Sequence, residues 1–383
     1  MEISQKVRYI GVDDYEIDLF EGQYPCPSGM AYNSYIILDK KIAVMDSVDK
    51  NFGTQWLDNL KKQLQGKTPD YLVVQHMEPD HSANIARFAT EYPSAKIVAS
   101  KQAFVMMKHY FSTEFENRRI VVQDGDRLDL GEHALVFFTA PMVHWPEVIV
   151  SFEERENILF SADAFGKFGG INTQEDWACE ARRYYFGIVG KFGVQVQNLL
   201  KKLSALSIKT ICPLHGPVLK GDISKYFHLY DIWSKYEAES DGVFIAYTSV
   251  YGNTLQAVEI LKAEIEKIGV KVSVTDLARC DFSEAVEDAF RYGRIVLAST
   301  TYNGGVFPFM RSFLHELVEH NFQNRRVGLI ENGSWAPFAA RTMRGMLENC
   351  KNLDFCQSVV RVHGAVTAEN QEQIRALAKE VCE

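Results

Sequence analysis

The hydrophobic pattern of the 383-residue chain changes at residues 237–242, a short polar stretch of small side chains. Before it, short apolar runs follow one another with few helical stretches between them. After it, apolar runs alternate strictly with helical periodicity. Single cores stop growing at about 250–300 residues, so a chain of this length is expected to form more than one domain. The pattern therefore predicts two domains of different kind, at residues 1–238 and 241–383.

The second half is predicted to form a doubly wound parallel sheet of five strands. From Leu255 to Ile268, apolar residues recur at three- and four-residue spacing and stop at Gly269, as in an amphipathic helix with a glycine end. Strands that alternate with helices in this way build parallel sheets with helices on both faces. The predicted strands are residues 243–247, 270–274, 295–298, 327–330 and 359–362.

The first half contains many strands and few helices, which predicts a sheet sandwich flanked by helices. An amphipathic stretch covers residues 53–64, and a second helical stretch begins near Ile85. The apolar runs that we interpret as strands are residues 34–38, 42–45, 71–74, 96–99, 120–122, 135–138, 148–152 and 158–161.

Four potential metal ligands follow the strand at residues 71–74: His76, Glu78, Asp80 and His81. A buried strand that ends in a loop can present such side chains from a rigid support. Few structural roles explain two histidines and two carboxylates within six residues. The loop is therefore predicted to bind metal.

Three further candidates each follow an apolar run: His144 after residues 135–138, Asp163 after 158–161 and His215 after 210–212. One histidine after a strand is more often a structural residue than a ligand. In the company of the four clustered candidates, however, these three positions can converge on one rim of a sheet scaffold. Together the seven residues predict a dinuclear metal site.

The pattern His76-x-Glu78-x-Asp80-His81, with His144, Asp163 and His215 downstream, resembles the metal signature of the metallo-β-lactamase superfamily in the variant found in flavodiiron proteins. The resemblance implies an αββα sandwich with two non-haem iron ions, one held by His76, Glu78, His144 and Asp163, the other by Asp80, His81, Asp163 and His215. Asp163 would bind both iron ions and so bridge them. His81 is the least secure ligand, because its equivalent turns away from the metal in some members.

Glu78 stands where the hydrolases of the superfamily usually carry histidine. A carboxylate is a harder and more anionic ligand than imidazole, which suits iron better than redox-silent zinc. Two alternatives stay open. One is a dinuclear zinc hydrolase that uses a bridging hydroxide and carries the second half as an accessory domain, and the other is an electron carrier with a degenerate metal site.

The second half contains a candidate phosphate-binding turn at residues 248–254, which opens directly onto the predicted helix. Backbone N–H groups and the helix dipole favour an anion at such a position. The turn resembles the flavodoxin phosphate loop, with Tyr251 in place of the middle threonine, and implies FMN. Two more loops follow predicted strands. The predicted FMN-binding residues are Thr248, Ser249, Tyr251, Gly252, Asn253, Thr254, Thr301, Tyr302, Asn303, Gly304, Asn332, Gly333, Ser334 and Trp335.

By resemblance, the chain is expected to reduce O2 to water or nitric oxide to nitrous oxide at the iron pair, with electrons supplied through FMN. The preference between the gases is open. So is the electron donor, for which rubredoxin, another small redox protein and a reduced deazaflavin are candidates. The family forms head-to-tail homodimers that bring the flavin of one subunit near the irons of the other, so the same is expected here.

Composition excludes several other classes. A net charge of -9 argues against a nucleic-acid partner, because such proteins rely on Lys and Arg to neutralise phosphates. No apolar run approaches the roughly 18–20 residues of a membrane span, and no signal peptide is apparent, so a cytoplasmic location away from membranes is expected. The seven cysteines form no Cys-x-x-Cys pair, which argues against a thiolate metal site or a rubredoxin domain.

Overall fold

The computed structural model describes residues 1–173 and 176–383, which divide into two compact units. The first comprises Met1–Tyr185 and Phe192–Asp231, and the second Phe186–Lys191 and Ile232–Glu383. Residues 232–238 thus pack with the second unit rather than the first. Because compactness does not test whether each part folds alone, the domain limits 1–238 and 241–383 stay a prediction.

The first unit contains sixteen short strands within the described residues, four of which form two small ribbons. The strands are β1 (Val7–Tyr9), β2 (Val12–Asp14), β3 (Leu19–Phe20), β4 (Tyr24–Pro25), β5 (Met30–Tyr32), β6 (Tyr35–Ile37), β7 (Ala43–Met45), β8 (Tyr71–Val73), β9 (Lys96–Ala99), β10 (Arg119–Val121), β11 (Arg127–Asp129), β12 (Ala134–Thr139), β13 (Ile149–Glu153), β14 (Ile158–Phe160), β15 (Thr210–Cys212) and β16 (Leu219–Lys220).

Two six-stranded sheets form the centre of this unit. One has the order β1-β6-β7-β8-β9-β10 and becomes parallel from β7 onwards, and the other runs β11 to β16 in sequence with only β14 and β15 parallel. Their facing side chains, such as Val73 and Val98 of one sheet and Phe137 and Phe160 of the other, share one core. This sandwich confirms the predicted fold class of the first half.

Helices flank the sheets: α1 (Gly53–Leu64), α2 (Pro79–Ser82), α3 (Ile85–Glu91), α4 (Lys101–Phe111), α5 (Trp177–Tyr184), α6 (Gly193–Leu203) and α7 (Ser224–Ser234), the last of which crosses the division between the units. α1 shows why they form. Trp56, Leu57, Leu60 and Leu64 recur at helical spacing and are buried. The helix then ends at Gln65 in the left-handed conformation.

The second unit contains β17 (Ser240–Tyr247), β18 (Val272–Asp276), β19 (Tyr292–Tyr302), β20 (Gly305–Val306), β21 (Arg325–Asn332) and β22 (Leu353–Val362), with α8 (Asn253–Ile268), α9 (Phe282–Arg291), α10 (Pro308–Glu319), α11 (Ala339–Met346) and α12 (Ala368–Cys382). Five strands are parallel, in the order β18-β17-β19-β21-β22. This is the strand order of flavodoxin-like folds and confirms the predicted doubly wound sheet.

β20 is a feature that the hydrophobic pattern did not predict. It turns back antiparallel onto the end of β19, pairing Thr301 with Val306 and Tyr302 with Gly305. The two turn residues, Asn303 and Gly304, both have positive φ, as two-residue hairpin turns require. Among the described residues, no helix combines the length and the apolar character needed to cross a bilayer.

Candidate functional site

The first unit brings all seven predicted metal ligands together in two adjoining groups. His76, Glu78, His144 and Asp163 form one group, and Asp80, His81 and His215 form the other. They come from loops that follow β8, β12, β14 and β15, so the ends of strands in both sheets supply the cluster. Six of the seven side chains are buried, and Glu78 is half-buried.

The four donors of the first group lie within hydrogen-bond range of one another. His144 Nε2 is 2.9 Å from Asp163 Oδ2 and 3.1 Å from Glu78 Oε2. His76 Nε2 is 3.3 Å from each of these two carboxylate oxygens and from His144 Nε2. Ligand bonds of about 2.1 Å place neighbouring donors on one metal roughly 3 Å apart. The spacing therefore suits four donors around a single ion.

The second group faces the other oxygen of Asp163. His81 Nε2 lies 2.9 Å from His215 Nε2 and 3.2 Å from Asp80 Oδ2. Asp163 Oδ1 is 3.4 Å from His81 Nε2 and 3.8 Å from His215 Nε2, whereas Oδ2 belongs to the first group. One carboxylate thus has an oxygen directed at each group. The side chain of His81 points its Nε2 into the cluster.

Backbone conformation helps to direct these side chains. α2 begins with Pro79, which favours the first helical position, and its single turn presents Asp80 and His81 together. Met142, two residues before His144, and Ala162, directly before Asp163, have φ of 65° and 50°. Non-glycine residues adopt this left-handed conformation at a cost of order 1 kcal/mol, and such residues cluster at functional sites. The strain is thus located beside two of the predicted ligands.

Two groups outside the predicted ligand set orient the histidines. Glu147 Oε1 lies 2.9 Å from His76 Nδ1 and accepts a hydrogen bond from Met77 N at 2.8 Å. The backbone oxygen of Ala31 lies 2.8 Å from His215 Nδ1. Partners of this kind fix the tautomer and the ring orientation of metal-binding histidines. Glu147 could have been recognised in the sequence, because it places a carboxylate three residues after the predicted ligand His144.

Asp46 supports the same loop from the end of β7. Its carboxylate accepts hydrogen bonds from Gln75 N at 2.7 Å, from Gln75 Nε2 at 3.0 Å and from His76 N at 3.4 Å. Burial raises the pKa of Asp46 to about 6, against the opposing effect of these bonds. No sequence signal singles out Asp46, because its role depends on the pairing of β7 with β8.

The histidines and carboxylates of the cluster stabilise each other's charged forms. Burial lowers the pKa of His144, but its hydrogen bonds to Asp163 and Glu78 outweigh burial and raise this pKa to about 9. Burial likewise raises the pKa of Asp163, yet His76, His144 and His81 together lower that pKa well below its usual range. Without a metal, protonated histidines thus balance the carboxylates.

Unsatisfied atoms also bear on metal binding. Within the described residues, both oxygens of Asp80, Oδ1 of Asp163 and Nδ1 of His81 are buried without a hydrogen-bond partner. Burying such groups without a partner is costly unless an ion compensates them. The imidazole and carboxylate donors, with Asp163 directed at both groups, therefore fit two metal ions.

Aromatic side chains enclose the second group. The rings of Phe20, Tyr32 and Tyr184 lie 5.3, 6.1 and 5.6 Å from the ring of His215. Burial, and then the charges of Asp163, Glu78 and Asp80, raise the pKa of Tyr184 well above its usual value, so its hydroxyl stays protonated.

Glu21, on the β3–β4 turn, approaches Glu78. Burial together with the Glu78 carboxylate raises the pKa of Glu21 to about 7.

The second unit contains a cavity of about 300 Å³ at the carboxyl ends of its parallel strands. Ten of the fourteen predicted FMN-binding residues line it: Ser249, Tyr251, Asn253, Thr254, Thr301, Tyr302, Asn332, Gly333, Ser334 and Trp335. Four further lining residues were not predicted, namely Val250, Thr300, Ala336 and Gly364. Every lining residue is uncharged.

Four predicted contacts lie beside this cavity rather than in its lining. Thr248 is fully buried, and its hydroxyl lies 3.1 Å from Ser299 Oγ. Gly252 precedes α8, and Asn303 with Gly304 forms the β19–β20 turn. These residues shape the loops around the cavity.

At the start of α8, the predicted phosphate-binding turn brings backbone N–H groups close together. Ser249 Oγ accepts hydrogen bonds from Gly252 N at 3.1 Å and Leu255 N at 3.3 Å, which shows that these N–H groups converge on one oxygen. Gly252 has φ of 90°, which glycine adopts without strain. Tyr251 is 92% exposed, so its phenol does not replace the threonine hydroxyl in the turn. The N–H groups, the helix N-terminus and the aromatic rims fit a phosphorylated aromatic cofactor.

Comparison with known proteins shows which families and structures this chain resembles. The family described as "ODP family beta lactamase" matches residues 30–216. Rubredoxin oxygen:oxidoreductase from Desulfovibrio gigas superposes with a TM-score of 0.93 at 24% identity, covering 100% of this chain and 97% of that one. The flavodiiron protein from Giardia intestinalis superposes with a TM-score of 0.90 at 23% identity, covering 100% and 95%. At these identities the superpositions show the fold.

The sequence relatives extend over most of both units. The anaerobic nitric oxide reductase flavorubredoxin of Aliivibrio salmonicida is 28% identical over 349 residues, which is 88% of this chain and 69% of the relative. The chain is therefore similar in sequence to flavorubredoxin over most of its length, and it has the fold of the flavodiiron proteins. In this chain the seven predicted ligands lie together in the first unit, and the cavity lined by predicted FMN-binding residues lies in the second.

Proposed function

We propose that this chain is a flavodiiron protein, an oxidoreductase that reduces O2 to water, nitric oxide to nitrous oxide, or both. The reaction takes place at two non-haem iron ions, with electrons delivered through FMN. The observation that carries the proposal is the pair of adjoining ligand groups that share Asp163, in a chain that also forms a flavodoxin-like cavity. Two close metals suit a diatomic substrate, since each can bind one end of it.

In this proposal each iron has its own ligand set. His76, Glu78, His144 and Asp163 hold the first iron, and Asp80, His81, Asp163 and His215 hold the second. The N–H groups at the start of α8 would hold the phosphate of FMN, and Tyr302 and Trp335 would flank its ring. Bound iron and FMN supply the redox chemistry, which neither carboxylate nor imidazole can supply alone.

The side chains of the protein position and protect that chemistry. Glu147 and the Ala31 carbonyl hold His76 and His215 in the orientation that directs Nε2 inwards. Phe20 and Tyr32 cover His215 and limit water there. Tyr184 keeps a proton on its hydroxyl within electrostatic reach of Asp163.

The zinc hydrolase is the weaker alternative. The relatives and structures matched here are named as a nitric oxide reductase and an oxygen:oxidoreductase, and Glu78 sits among the donors of the first group. An electron carrier with a degenerate metal site is weaker still, because every predicted ligand reaches the cluster.

We further propose a rubredoxin-type electron donor, which the words rubredoxin and flavorubredoxin in the names of the matched proteins support. Reduced deazaflavin is the second candidate. A head-to-tail homodimer, which rests on the resemblance to the family, and the cytoplasmic location expected from the sequence complete the proposal. Analytical ultracentrifugation of the full chain tests the dimer.

The deciding experiment is anaerobic turnover. The protein is purified without oxygen, its iron, zinc and FMN are quantified, and reduced rubredoxin is supplied with either gas. Consumption of O2 or nitric oxide, with water or nitrous oxide as product, is expected. Iron- and FMN-loaded protein that consumes neither gas would contradict the proposal, and zinc without iron together with hydrolytic activity would favour the alternative.

A further inference from the structure

Glu331, near the end of β21, lies directly before the loop that carries Asn332, Gly333, Ser334 and Trp335. Only 4% of its side chain is exposed. Oε1 accepts a hydrogen bond from Arg361 Nε at 3.0 Å, and Oε2 accepts one from Ala340 N at 2.9 Å. None of these three residues lines the flavin cavity. A single carboxylate therefore connects β21, β22 and the first turn of α11.

The far end of the same loop is held by Thr301. Its Oγ1 accepts hydrogen bonds from Phe338 N at 2.7 Å and Ala339 N at 3.1 Å. The loop also folds tightly, since a Cβ on Gly333 would lie 3.0 Å from Pro337 Cα. The path of residues 332–338 is thus held at its far end by Thr301 and within the loop by the close approach of Gly333 to Pro337.

The tip of the loop has little support of its own. Asn332 is held by a reciprocal pair of hydrogen bonds with Gly364, each 3.0 Å long. Trp335, by contrast, is 92% exposed. The position of its ring therefore depends on the two ends of the loop, of which Glu331 determines the start and the approach of α11.

We propose that Glu331, paired with Arg361, is a positioning residue that holds the loop of residues 332–338 as a preformed wall of the flavin site. The inference rests on the proposed function, because it takes the cavity to bind FMN. Loss of the carboxylate leaves the Ala340 N–H group and the Arg361 guanidinium without their acceptor. The loop then becomes mobile, and ordering it reduces flavin affinity.

The chain offers a matched control on the same two strands. Arg326 and Asp354 are direct cross-strand partners at the opposite end of β21 and β22, as Glu331 and Arg361 are at the cavity end. Arg326 Nε lies 2.9 Å from Asp354 Oδ2. Asp354→Asn therefore removes a cross-strand pair of an arginine and a carboxylate that is more exposed and lies at the end of the strands away from the cavity.

The test measures FMN affinity and flavin potential in the full-length protein. Apoprotein of the wild type, Glu331→Leu, Glu331→Gln, Arg361→Gln and Asp354→Asn is titrated with FMN, with flavin fluorescence as the readout, and the midpoint potential of the bound FMN is measured. We expect Glu331→Leu to raise the Kd by about tenfold and to shift the potential. Glu331→Gln, which keeps an acceptor for Ala340, and Arg361→Gln are expected to raise the Kd by about threefold. Asp354→Asn leaves Kd and potential unchanged.

A purely structural role predicts something different. If Glu331 only stabilised the fold, its variants would lower the melting temperature of the apoprotein while the Kd and the potential stayed at wild-type values. That result overturns the inference. If Glu331→Leu does not fold, the Gln variants decide alone. Failure of the wild type to bind FMN would instead contradict the proposed function.

Discussion

Every candidate ligand in the metal cluster is an imidazole or a carboxylate, whereas all residues that line the flavin cavity are uncharged. The cluster is closed and lies beside strained backbone at Met142 and Ala162. The cavity is open, with Tyr251 and Trp335 almost fully exposed at its rim. Buried charges need a compensating ion, whereas exposed N–H groups at the start of a helix can be hydrated until an anion binds. The two sites are therefore expected to respond differently to substitution.

The largest expected effect follows from Asp163→Asn, since Asp163 has an oxygen directed at each ligand group. The neutral amide removes a shared negative charge, so at least one metal should be lost. Gas reduction should fall by more than the 10- to 100-fold that is typical of changes outside the ligand set. Metal analysis and turnover measure this, and FMN content should not change.

The matched control is Asp124→Asn, which removes a carboxylate of the first unit that binds Lys202 instead. It should keep both metals. Asp163→Asn protein that retains two irons and full activity would show that the cluster does not depend on a shared carboxylate.

Glu78→His tests whether one carboxylate sets the choice of metal. Imidazole suits zinc at this position, so the zinc-to-iron ratio should rise and gas reduction should fall by roughly tenfold or more. Glu78→Asp, which keeps the carboxylate, should retain the preference for iron. The metal content of protein produced with both iron and zinc in the medium measures this preference. An unchanged iron content in Glu78→His would refute the view that Glu78 sets the choice of metal.

Glu147→Gln tests the contact between Glu147 and His76 Nδ1. The amide keeps the shape of the side chain but accepts the His76 Nδ1 hydrogen bond less strongly, so metal affinity should fall by about 10- to 100-fold. Competition with a chelator measures this change. FMN affinity should stay the same, and equal loss of both cofactors would mean that Glu147 acts on folding rather than on His76.

The smallest effects are expected from substitutions of two glycines, one at each end of α8. Gly252 and Gly269 have φ of 90° and 91°, and a Cβ on either would meet no atom within 4 Å. Alanine at each should therefore lower the free energy of unfolding by about 1 kcal/mol through backbone strain alone. Only Gly252→Ala should also weaken FMN binding, by about threefold, because Gly252 N belongs to the predicted phosphate-binding turn. Equal FMN affinity in the two variants would place the phosphate elsewhere.

The sequence by itself determined the fold class of both halves and the residues that form the metal cluster. The periodicity around Leu60 and Leu261 reports burial directly, because apolar side chains recur on one face of a helix. The ligands were visible because a strand followed by imidazoles and carboxylates is a local pattern. Ten of the predicted flavin residues line one cavity for the same reason, since each lies at or just beyond the carboxyl end of a parallel strand.

Only the tertiary structure decided how these parts are joined. The two directions of the Asp163 carboxylate, the contact of Glu147 with His76 and the link from Glu331 to Arg361 connect residues that are distant in sequence. The same is true of Glu21, which a small hairpin carries to Glu78. Such contacts depend on strand register and loop path, and a shift of one residue would redirect every side chain involved. No local pattern encodes them, because their energy comes from partners that only the folded chain brings together.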